Sequence, residues 1–347
     1  MAYSSYLTLA IPALVTLAVT YVAMLFVREY MLESGVTFVN LNVKKGKVTP
    51  SGGGVAVAFG FVIGMLTYVF GASFGFYKPA ATLETLFGVV LSILLIAFVG
   101  FIDDINVKTK QVKTTGMRDY RKGLKQWQKP VLTFVGAIPM MAINAGVSTI
   151  AFPVIGAINL GLLYPLIIIP LVIIFAANAF NLLGGFDGMI SGAGLIATLG
   201  LFVYSLIWGT YNGAIVTIVL AAAMFIFFLF HKYPIKILPG DSFTYLVGAA
   251  LVDAMIVGNM EIFGIVVFAP WILEFIFHLR GRFKTTDLGV LQKDGTLLPP
   301  YGRKIYSWTH IIMNLKKCRE WQVAQYMWLV ELGFVALAFG LKLFVFP

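Results

Sequence analysis

Charged residues are scarce in this chain. Of its 347 residues, 12% are Asp, Glu, Lys or Arg and 60% are hydrophobic, whereas soluble globular domains carry about 25% charged residues. This composition excludes a soluble globular protein and indicates an integral membrane protein. Acidic residues are the scarcer class, with 15 against 25 basic ones, which gives a formal net charge of +10.

Cysteine is nearly absent as well. Cys318 is the single cysteine, so an intrachain disulfide is excluded. No basic residue precedes the first apolar run and Arg28 follows it at once, which argues against a cleavable signal peptide. Because the sequence contains no internal repeat, low-complexity tract or soluble domain, residues 1–347 are predicted to form a single membrane domain.

Long apolar runs are abundant. A helix needs about 20 apolar residues to cross a bilayer, and ten runs approach that length, which predicts an all-α integral membrane protein with about ten transmembrane helices. The runs lie near residues 5–27, 53–71, 84–102, 130–146, 160–177, 189–208, 213–230, 243–260, 262–277 and 327–346. Between the fourth and fifth runs, residues 147–159 are rich in β-branched residues around a proline and a glycine, which suggests a short external β-hairpin.

Basic residues are distributed unevenly between the connecting segments. Of the 25 Lys and Arg residues, 23 lie in segments 28–50, 103–129, 231–242 and 278–326. These segments follow the first, third, seventh and ninth runs, so they share one side of the membrane, which the positive-inside tendency identifies as cytoplasmic. We therefore expect a multi-pass protein of the cell membrane with cytoplasmic catalytic loops. Anionic membrane lipids, and no nucleic acid, are the expected partners of its positive charge.

Segment 178–188 places two amides, an acid and three glycines between two apolar runs. An amide left unpaired in hydrocarbon costs several kcal/mol, so these residues should line a wet pocket, bind a charged ligand or pair with another helix. Asn178 and Asn181 share a helix face, and Asn carbonyl oxygens suit Mg²⁺. Glycines such as Gly185 let the backbone approach a ligand closely. Helix-to-helix hydrogen bonding with small-residue packing is the alternative.

Acids stand at the ends of two other runs. Asp103 and Asp104 end the third run, and neighbouring carboxylates repel each other unless a cation lies between them, which favours a metal or base site. Solvation, or pairing with nearby lysines, is the alternative. Asp241 opens the eighth run, either as a helix N-cap or as a metal ligand.

Basic residues accompany these acids. The loop 108–129 holds eight basic residues against one acid, which suits either a phosphorylated ligand or lipid headgroups. Lys129 directly precedes Pro130 at the mouth of the fourth run, where it could reach a phosphate. Arg280 and Arg282 flank a glycine at the end of the ninth run, which suits either pyrophosphate or an interfacial cluster. Acids, amides and cations on one face are what phosphoryl transfer requires, and the membrane implies a lipid reactant.

In order and spacing, these motifs resemble those of the polyprenyl-phosphate N-acetylhexosamine-1-phosphate transferases over nearly the whole chain. The matching segments are 49–54, 100–104, 178–188 and 240–245. The resemblance implies transfer of GlcNAc-1-phosphate from UDP-GlcNAc to dolichyl or another polyprenyl phosphate, with release of UMP. That reaction is the first step in assembling lipid-linked oligosaccharides for N-glycans or cell-surface glycans.

The resemblance also separates branches of that family. Arg280-Gly-Arg282 matches the Arg-x-Arg of the eukaryotic UDP-GlcNAc:dolichyl-phosphate enzymes, whereas bacterial phospho-MurNAc-pentapeptide transferases usually carry a histidine-rich motif there. Asp187 stands where the eukaryotic enzymes have Asn, and the long basic loop is more similar to bacterial members. This mixture suggests an archaeal enzyme of the dolichyl type. A phospho-MurNAc-pentapeptide-type transferase is the alternative, and a secondary transporter is a more remote one.

The resemblance finally implies roles for single residues. Mg²⁺, with Mn²⁺ as an alternative, is the expected cofactor, held by Asn181 and Asp241. Lys129 would hold phosphate, and Asp103 and Asp104 would orient or deprotonate the lipid phosphate. Substrate binding is assigned to Asn106, Asn178, Gly185, Asp187, Arg280 and Arg282. Of these, Gly185 and Asp187 would contact the uracil end of the donor, and the two arginines its pyrophosphate and sugar. A homodimer is left open.

Overall fold

The structure is a computed structural model that describes residues 3–39, 48–105, 110–111, 118–119, 124–125, 127–153, 155–208 and 210–345. Within these ranges the chain forms twelve α-helices, α1 to α12. In chain order they are Tyr3–Glu33, Gly54–Ser73, Leu83–Ile105, Gln128–Ala142, Ile169–Phe180, Met189–Trp208, Tyr211–His231, Gly240–Val257, Glu261–Val267, Ala269–Arg280, Trp308–Leu315 and Glu320–Phe344. A π-helix, Tyr164–Ile168, leads into α5, and a 3-10 turn, Asn181–Leu183, follows it.

Short strands of the described chain pair into four antiparallel hairpins. They are β1 Thr37–Val39 with β2 Val48–Pro50, β3 Lys110–Gln111 with β4 Arg118–Asp119, β5 Thr149–Phe152 with β6 Gly156–Asn159, and β7 Val290–Leu291 with β8 Leu297–Leu298. In the third hairpin Thr149 lies opposite Asn159 and Phe152 opposite Gly156. The hairpin predicted within residues 147–159 is therefore confirmed, and α4 separates it from the end of the bundle where α3 finishes.

Eight helical segments of the described ranges are long and apolar enough to cross a membrane. They coincide with the first, second, third, fifth, sixth, seventh, eighth and tenth predicted runs. The ninth run forms two helices, α9 and α10, which meet at an angle of 57° and give a ninth crossing if they are counted together. The fourth run forms α4, whose 15 residues extend about 22 Å against a hydrocarbon core of about 30 Å. The all-α membrane class is confirmed, and the count of ten stays a prediction.

Helix α8 is the most enclosed helix, because it packs against α3 and α5 and is buried over almost its whole length. Glycines allow this close packing at its first turn. A side chain in place of Gly54 of α2 or Gly100 of α3 would collide with the backbone of residues 241–243. Small residues at such contacts are how membrane helices approach each other closely, and they fix the first turn of α8 against its neighbours.

The helix directions bring polar residues together at one end of the bundle. Helices α3 and α5 finish at this end, whereas α4 and α8 begin there, and consecutive members of the set pack against each other. Asp103 lies in the last turn of α3, Lys129 in the first turn of α4, Asn181 just after α5, and Asp241 in the first turn of α8. Residues that are far apart in sequence therefore meet where four helix ends converge.

Candidate active site

Lys129 lies at the centre of the polar cluster. Its Nζ donates to Asp103 Oδ2 at 2.9 Å and to Asp241 Oδ2 at 2.7 Å. The three side chains are 15%, 8% and 15% exposed respectively, so both ion pairs are largely shielded from water. Charge-assisted bonds of this length are among the strong polar contacts of proteins, and they hold the ammonium group in one position between two carboxylates.

Asp104 has a different environment from its neighbour Asp103. It is fully buried, and its Oδ1 accepts from the backbone N–H of Asp241 at 2.7 Å. Its Oδ2 accepts from the backbone N–H of Ser242 at 3.1 Å and from the Ser242 hydroxyl at 2.6 Å. Helix α8 begins after Pro239, whose side chain cannot cap it. Asp104 thus caps α8 from another helix, and the Asp241 carboxylate contacts Lys129 and Asn181.

Asp103 also holds the loop before α4. Asp103 Oδ1 accepts from the backbone N–H of Leu124, while Oδ2 binds Lys129. The Asp103 carboxylate therefore fixes both the start of α4 and the position of the Lys129 ammonium group. Pairing of these acids with a nearby lysine was one alternative from the sequence. The structure shows this pairing for Asp103, at the centre of the site.

Asn181 joins the segment 178–188 to this cluster. Its Nδ2 donates to Asp241 Oδ1 at 3.2 Å, and its Oδ1 accepts from the Thr244 hydroxyl at 2.9 Å. Asn178 points to other partners, because its Nδ2 donates to Thr133 Oγ1 of α4 at 3.2 Å and to the Ile174 carbonyl at 2.8 Å. One amide thus faces the site, and the other connects α5 to α4. The assignment of Asn178 to substrate binding stays a prediction.

A cavity of about 440 Å³ opens beside the cluster. It is lined by Phe38, Ser51, Asn181, Leu182, Gly184, Gly185, Phe186, Asp187, His231, Leu238, Pro239, Gly240, Asp241, Thr244, Asp287 and Leu288. Among these described residues are three carboxylates and no Lys or Arg. Its size lies within the range of small-molecule sites, and Asp241 connects it to Lys129.

Asp187 lines this cavity, but much of its hydrogen-bonding capacity serves the protein itself. Its Oδ2 accepts from the backbone N–H of Ile235 at 3.2 Å, and its own N–H donates to Glu320 Oε1 at 3.2 Å. Burial and the neighbouring Glu320 carboxylate raise the pKa of Asp187 to about 7. The pair connects the turn before α6 to the start of α12, and contact of Asp187 with a uracil stays a prediction.

Sequence reasoning missed Asp287, which lies in the loop between α10 and α11. Its Oδ2 accepts from the backbone N–H of Gly185 at 2.8 Å. Burial and the nearby Glu274 raise the pKa of Asp287 to about 6. A side chain at Gly185 would collide with this carboxylate, which explains the glycine more directly than ligand contact does. No sequence motif marks Asp287, because it becomes part of the wall only through a loop about 100 residues away from Gly185 along the chain.

Arg280 and Arg282 do not line the cavity. Both are exposed at the end of α10, and the Arg280 guanidinium lies 5.7 Å from the centre of the Tyr306 ring. Arg282 adopts a left-handed backbone with φ of 52°, which turns the chain sharply after α10. Their predicted role in gripping pyrophosphate stays a prediction. Asn106 and most of the basic loop 108–129 lie outside the described residues.

The middle half of the chain supplies most of this site, and residues 86–259 match glycosyl transferase family 4. The chain belongs to this family. Two archaeal proteins, from Sulfolobus acidocaldarius and Saccharolobus solfataricus, are each 29% identical to it over 96% of both sequences. They are provisionally named UDP-N-acetylglucosamine–dolichyl-phosphate N-acetylglucosaminephosphotransferase. A phospho-N-acetylmuramoyl-pentapeptide-transferase of Streptococcus equi is 30% identical, over 93% of this chain and 95% of its own.

Membership of family 4 confirms the resemblance found in the sequence and weighs against a transporter. Two buried acids of the described helices also make contacts of a structural kind. Glu274 accepts from the Trp308 backbone N–H at 2.9 Å, and Glu261 accepts from the Tyr164 hydroxyl. Asp253 of α8 and Glu331 of α12 are buried with no hydrogen-bond partner for their carboxylate oxygens among the described residues. Of the acids that line the cavity, Asp187 and Asp241 lie beside helix ends and Asp287 lies in the loop after α10, as expected for a transferase of this family acting at the membrane surface.

Proposed function

We propose that this protein transfers GlcNAc-1-phosphate from UDP-GlcNAc to dolichyl or another polyprenyl phosphate. The observation that carries the proposal is the position of Lys129, fixed between Asp103 and Asp241 beside a cavity that can take a nucleotide sugar. The names of the two archaeal relatives support the same donor and acceptor. The basic segments 103–129 and 278–326 support a cytoplasmic location for this end of the bundle.

In this reaction an oxygen of the lipid phosphate attacks the phosphorus bonded to the sugar. The bond from that phosphorus to the bridging oxygen breaks, and UMP leaves with the bridging oxygen and its electron pair. The transition state spreads negative charge over the phosphoryl oxygens. Lys129 supplies a positive charge held in place before the reaction, and such preorganised charge costs no reorganisation at the moment of transfer. Since a phosphate monoester is largely ionised at neutral pH, Asp103 and Asp241 are needed to position Lys129 rather than to remove a proton.

Asp241 and Asn181 support the proposal that Mg²⁺ is the cofactor. Asn181 Nδ2 lies 3.2 Å from Asp241 Oδ1, and after rotation of the amide its oxygen would take that place, close to the roughly 3 Å between adjacent oxygens around an ion with bonds of about 2.0–2.1 Å. Thr244 can bond either end of that amide, so the amide oxygen can face the carboxylate. Within the described ranges no three acid, histidine or cysteine side chains form a metal-binding group. Mg²⁺ commonly completes its shell with substrate phosphates and water, and when bound it would neutralise phosphate charge beside these acids.

An apolar groove supports a lipid acceptor. A space of about 350 Å³ on the outside of the bundle is lined by Pro130, Val131, Phe134 and Ile174. It begins at the residue that follows Lys129, between α4 and α5. A polyprenyl chain lying there would place its phosphate near the ammonium group while its isoprene units stay in the hydrocarbon.

A panel of donors and acceptors tests the proposal. Purified full-length protein is incubated with Mg²⁺, with UDP-GlcNAc or UDP-MurNAc-pentapeptide, and with dolichyl or undecaprenyl phosphate. We expect UMP release from UDP-GlcNAc that depends on the lipid phosphate and on the metal. Release from UDP-MurNAc-pentapeptide alone would favour the alternative suggested by the Streptococcus relative. Solute movement into vesicles with no UMP from any donor would favour a transporter.

A further inference from the structure

Among the three described carboxylates that line the cavity, Asp287 takes no part in the Lys129 cluster or in the Asp187–Glu320 pair. Asp241 belongs to the cluster around Lys129, and Asp187 is paired with Glu320. Asp287 instead reaches the wall from the loop that follows α10, a part of the chain that otherwise lies at the surface.

Several contacts fix this loop against α11. The Asp287 carbonyl accepts from the Thr309 hydroxyl at 2.6 Å, and the Thr286 N–H donates to the Tyr301 hydroxyl at 3.1 Å. His310 Nε2 lies 3.0 Å from the Thr286 carbonyl. Burial lowers the pKa of His310 to about 4, so the ring is neutral near pH 7 and Nε2 carries the proton that this bond needs. The carboxylate is therefore held in position without any ligand.

The position of Asp287 along the wall indicates which part of a donor it faces. Its partner Gly185 lies four residues after Asn181, and at about 2 Å per residue in a tight turn this is roughly 6–8 Å from the phosphate end of the site. A carboxylate repels phosphate but accepts strongly from hydroxyl groups.

We propose that Asp287 determines donor specificity by accepting hydrogen bonds from sugar hydroxyl groups of the nucleotide sugar. The inference rests on the proposed function. The hydroxyl groups belong either to the ribose or to the hexose, both of which offer neighbouring hydroxyls at this distance from the pyrophosphate. A site built to bond a hydroxyl discriminates against a ligand that lacks it, because the half-buried carboxylate then loses that hydrogen bond.

The test measures donor affinity in a set of matched pairs. Calorimetry gives the Kd of the full-length wild type and of Asp287→Asn for UDP-GlcNAc, for its 2′-deoxyuridine analogue, and for analogues with 3-deoxy or 4-deoxy GlcNAc. In Asp287→Asn the side-chain oxygen can still accept from Gly185, while the charged acceptor is lost. We expect the Kd for UDP-GlcNAc to rise about 10-fold or more, with kcat and the KM for the lipid phosphate within about 3-fold of wild type.

The deoxy analogues separate hydrogen bonding from a merely structural role. One of them should bind wild type about 10-fold more weakly than UDP-GlcNAc does, and Asp287→Asn should show little further loss with that same analogue. A loss with the 2′-deoxyuridine compound assigns the ribose, and a loss with a deoxy-hexose compound assigns the hexose. If wild type binds all the analogues equally well, or if both proteins lose the same factor with each, the inference is overturned.

Two controls keep the result interpretable. Asp294→Asn changes an exposed acid of the same segment that accepts from the backbone N–H and the hydroxyl of Thr296, and it should bind donor as wild type does. If Asp287→Asn does not fold, the wild-type analogue series alone still decides, since equal affinities contradict the inference. Binding of UDP-GlcNAc without UMP release would count against the proposed function, whereas the affinity series would still test Asp287.

Discussion

Two groups of cations lie by the same end of the helical bundle, and the protein holds them in opposite ways. Lys129 is largely buried and its ammonium group contacts two carboxylates at 2.7 and 2.9 Å. Arg280 and Arg282 are exposed in the turn after α10, where the Tyr306 ring lies beside one of them. The first cation has its position before substrate arrives, whereas the two arginines would lose side-chain freedom on binding it, as predicted for them.

This difference separates two contributions to the reaction. A charge that is already in place stabilises the transition state and so raises kcat. Exposed arginines can close on a pyrophosphate, but part of the bonding energy is offset by ordering their side chains. We therefore expect changes at Lys129 to act on kcat and changes at the two arginines to act on KM.

The largest expected effect is the loss of the Lys129 cluster. Lys129→Ala and Asp241→Ala should each lower kcat by about 10³-fold or more, since removing one preorganised group commonly costs about 10²–10³-fold and here the remaining charges lose their partner as well. Lys129→Arg should not restore the rate, because a planar guanidinium does not replace a compact ammonium group between two carboxylates. UMP release measures this. Activity near the wild-type level in either alanine variant would contradict the assigned role of that residue.

The next effect separates the two adjacent acids. Asp104→Asn should lower the free energy of unfolding by about 2–4 kcal/mol, because the amide cannot accept all three hydrogen bonds at the start of α8 and its NH₂ group would face a donor. Asp103→Asn keeps the bond from Lys129 to Asp241 and should reduce kcat with a smaller loss of stability. Thermal unfolding in detergent, measured beside UMP release, checks both. Equal losses of stability in the two variants would show that the acids share one role.

A smaller effect is expected at the exposed cations. Arg280→Ala and Arg282→Ala should each raise the KM for UDP-GlcNAc about 10-fold, with kcat within a few-fold and the thermal midpoint unchanged. Both side chains are exposed, so their removal leaves no cavity and no buried group without a partner. Steady-state kinetics with the donor varied is the measurement. A fall in kcat as large as that of Lys129→Ala would contradict this prediction, because the arginines would then act like the preorganised charge of Lys129.

The smallest effect concerns a buried acid that has another acid as its partner. Burial and Glu320 raise the pKa of Asp187 to about 7, whereas an Asp in the unfolded chain has a pKa of about 3.9. The folded state therefore binds the carboxyl proton of Asp187 more tightly than the unfolded chain does. The stabilisation is complete below about pH 4 and is lost as the pH rises through about 7. The thermal midpoint of wild type should therefore fall by a few °C, roughly, between about pH 5 and pH 8. Asp187→Asn should show a flatter profile, and parallel profiles would contradict the pairing.

The apolar runs and the charge distribution of the sequence predicted most of the membrane-spanning helices. A bilayer requires long apolar helices, so the apolar runs of the sequence were sufficient to predict α2, α3, α6 and α7. The break between α9 and α10 and the short α4 depend on packing among neighbours. That information is absent from a count of apolar residues.

The candidate site was predicted in part. Four of the predicted residues do lie together, namely Asp103, Lys129, Asn181 and Asp241. They lie at helix ends on one face of the membrane, where exposure to hydrocarbon would be costly and contact with each other satisfies their polar groups. The sequence could not separate the roles of Asp103 and Asp104, since that difference arises from which side of α3 faces the first turn of α8. Asp287 was missed because its place in the wall depends on a loop held by α11 rather than on any local pattern.

Transfer of a sugar phosphate, rather than of the sugar alone, can be read from the position of one phosphorus atom in the products. Full-length protein in vesicles with dolichyl phosphate and Mg²⁺ is given UDP-GlcNAc that carries a radioactive phosphate next to the sugar. We expect the label to move into the lipid and unlabelled UMP to be released in equal amount, with neither event in Lys129→Ala. Recovery of the label in released UDP would contradict the proposed function, because the protein would then transfer the sugar alone.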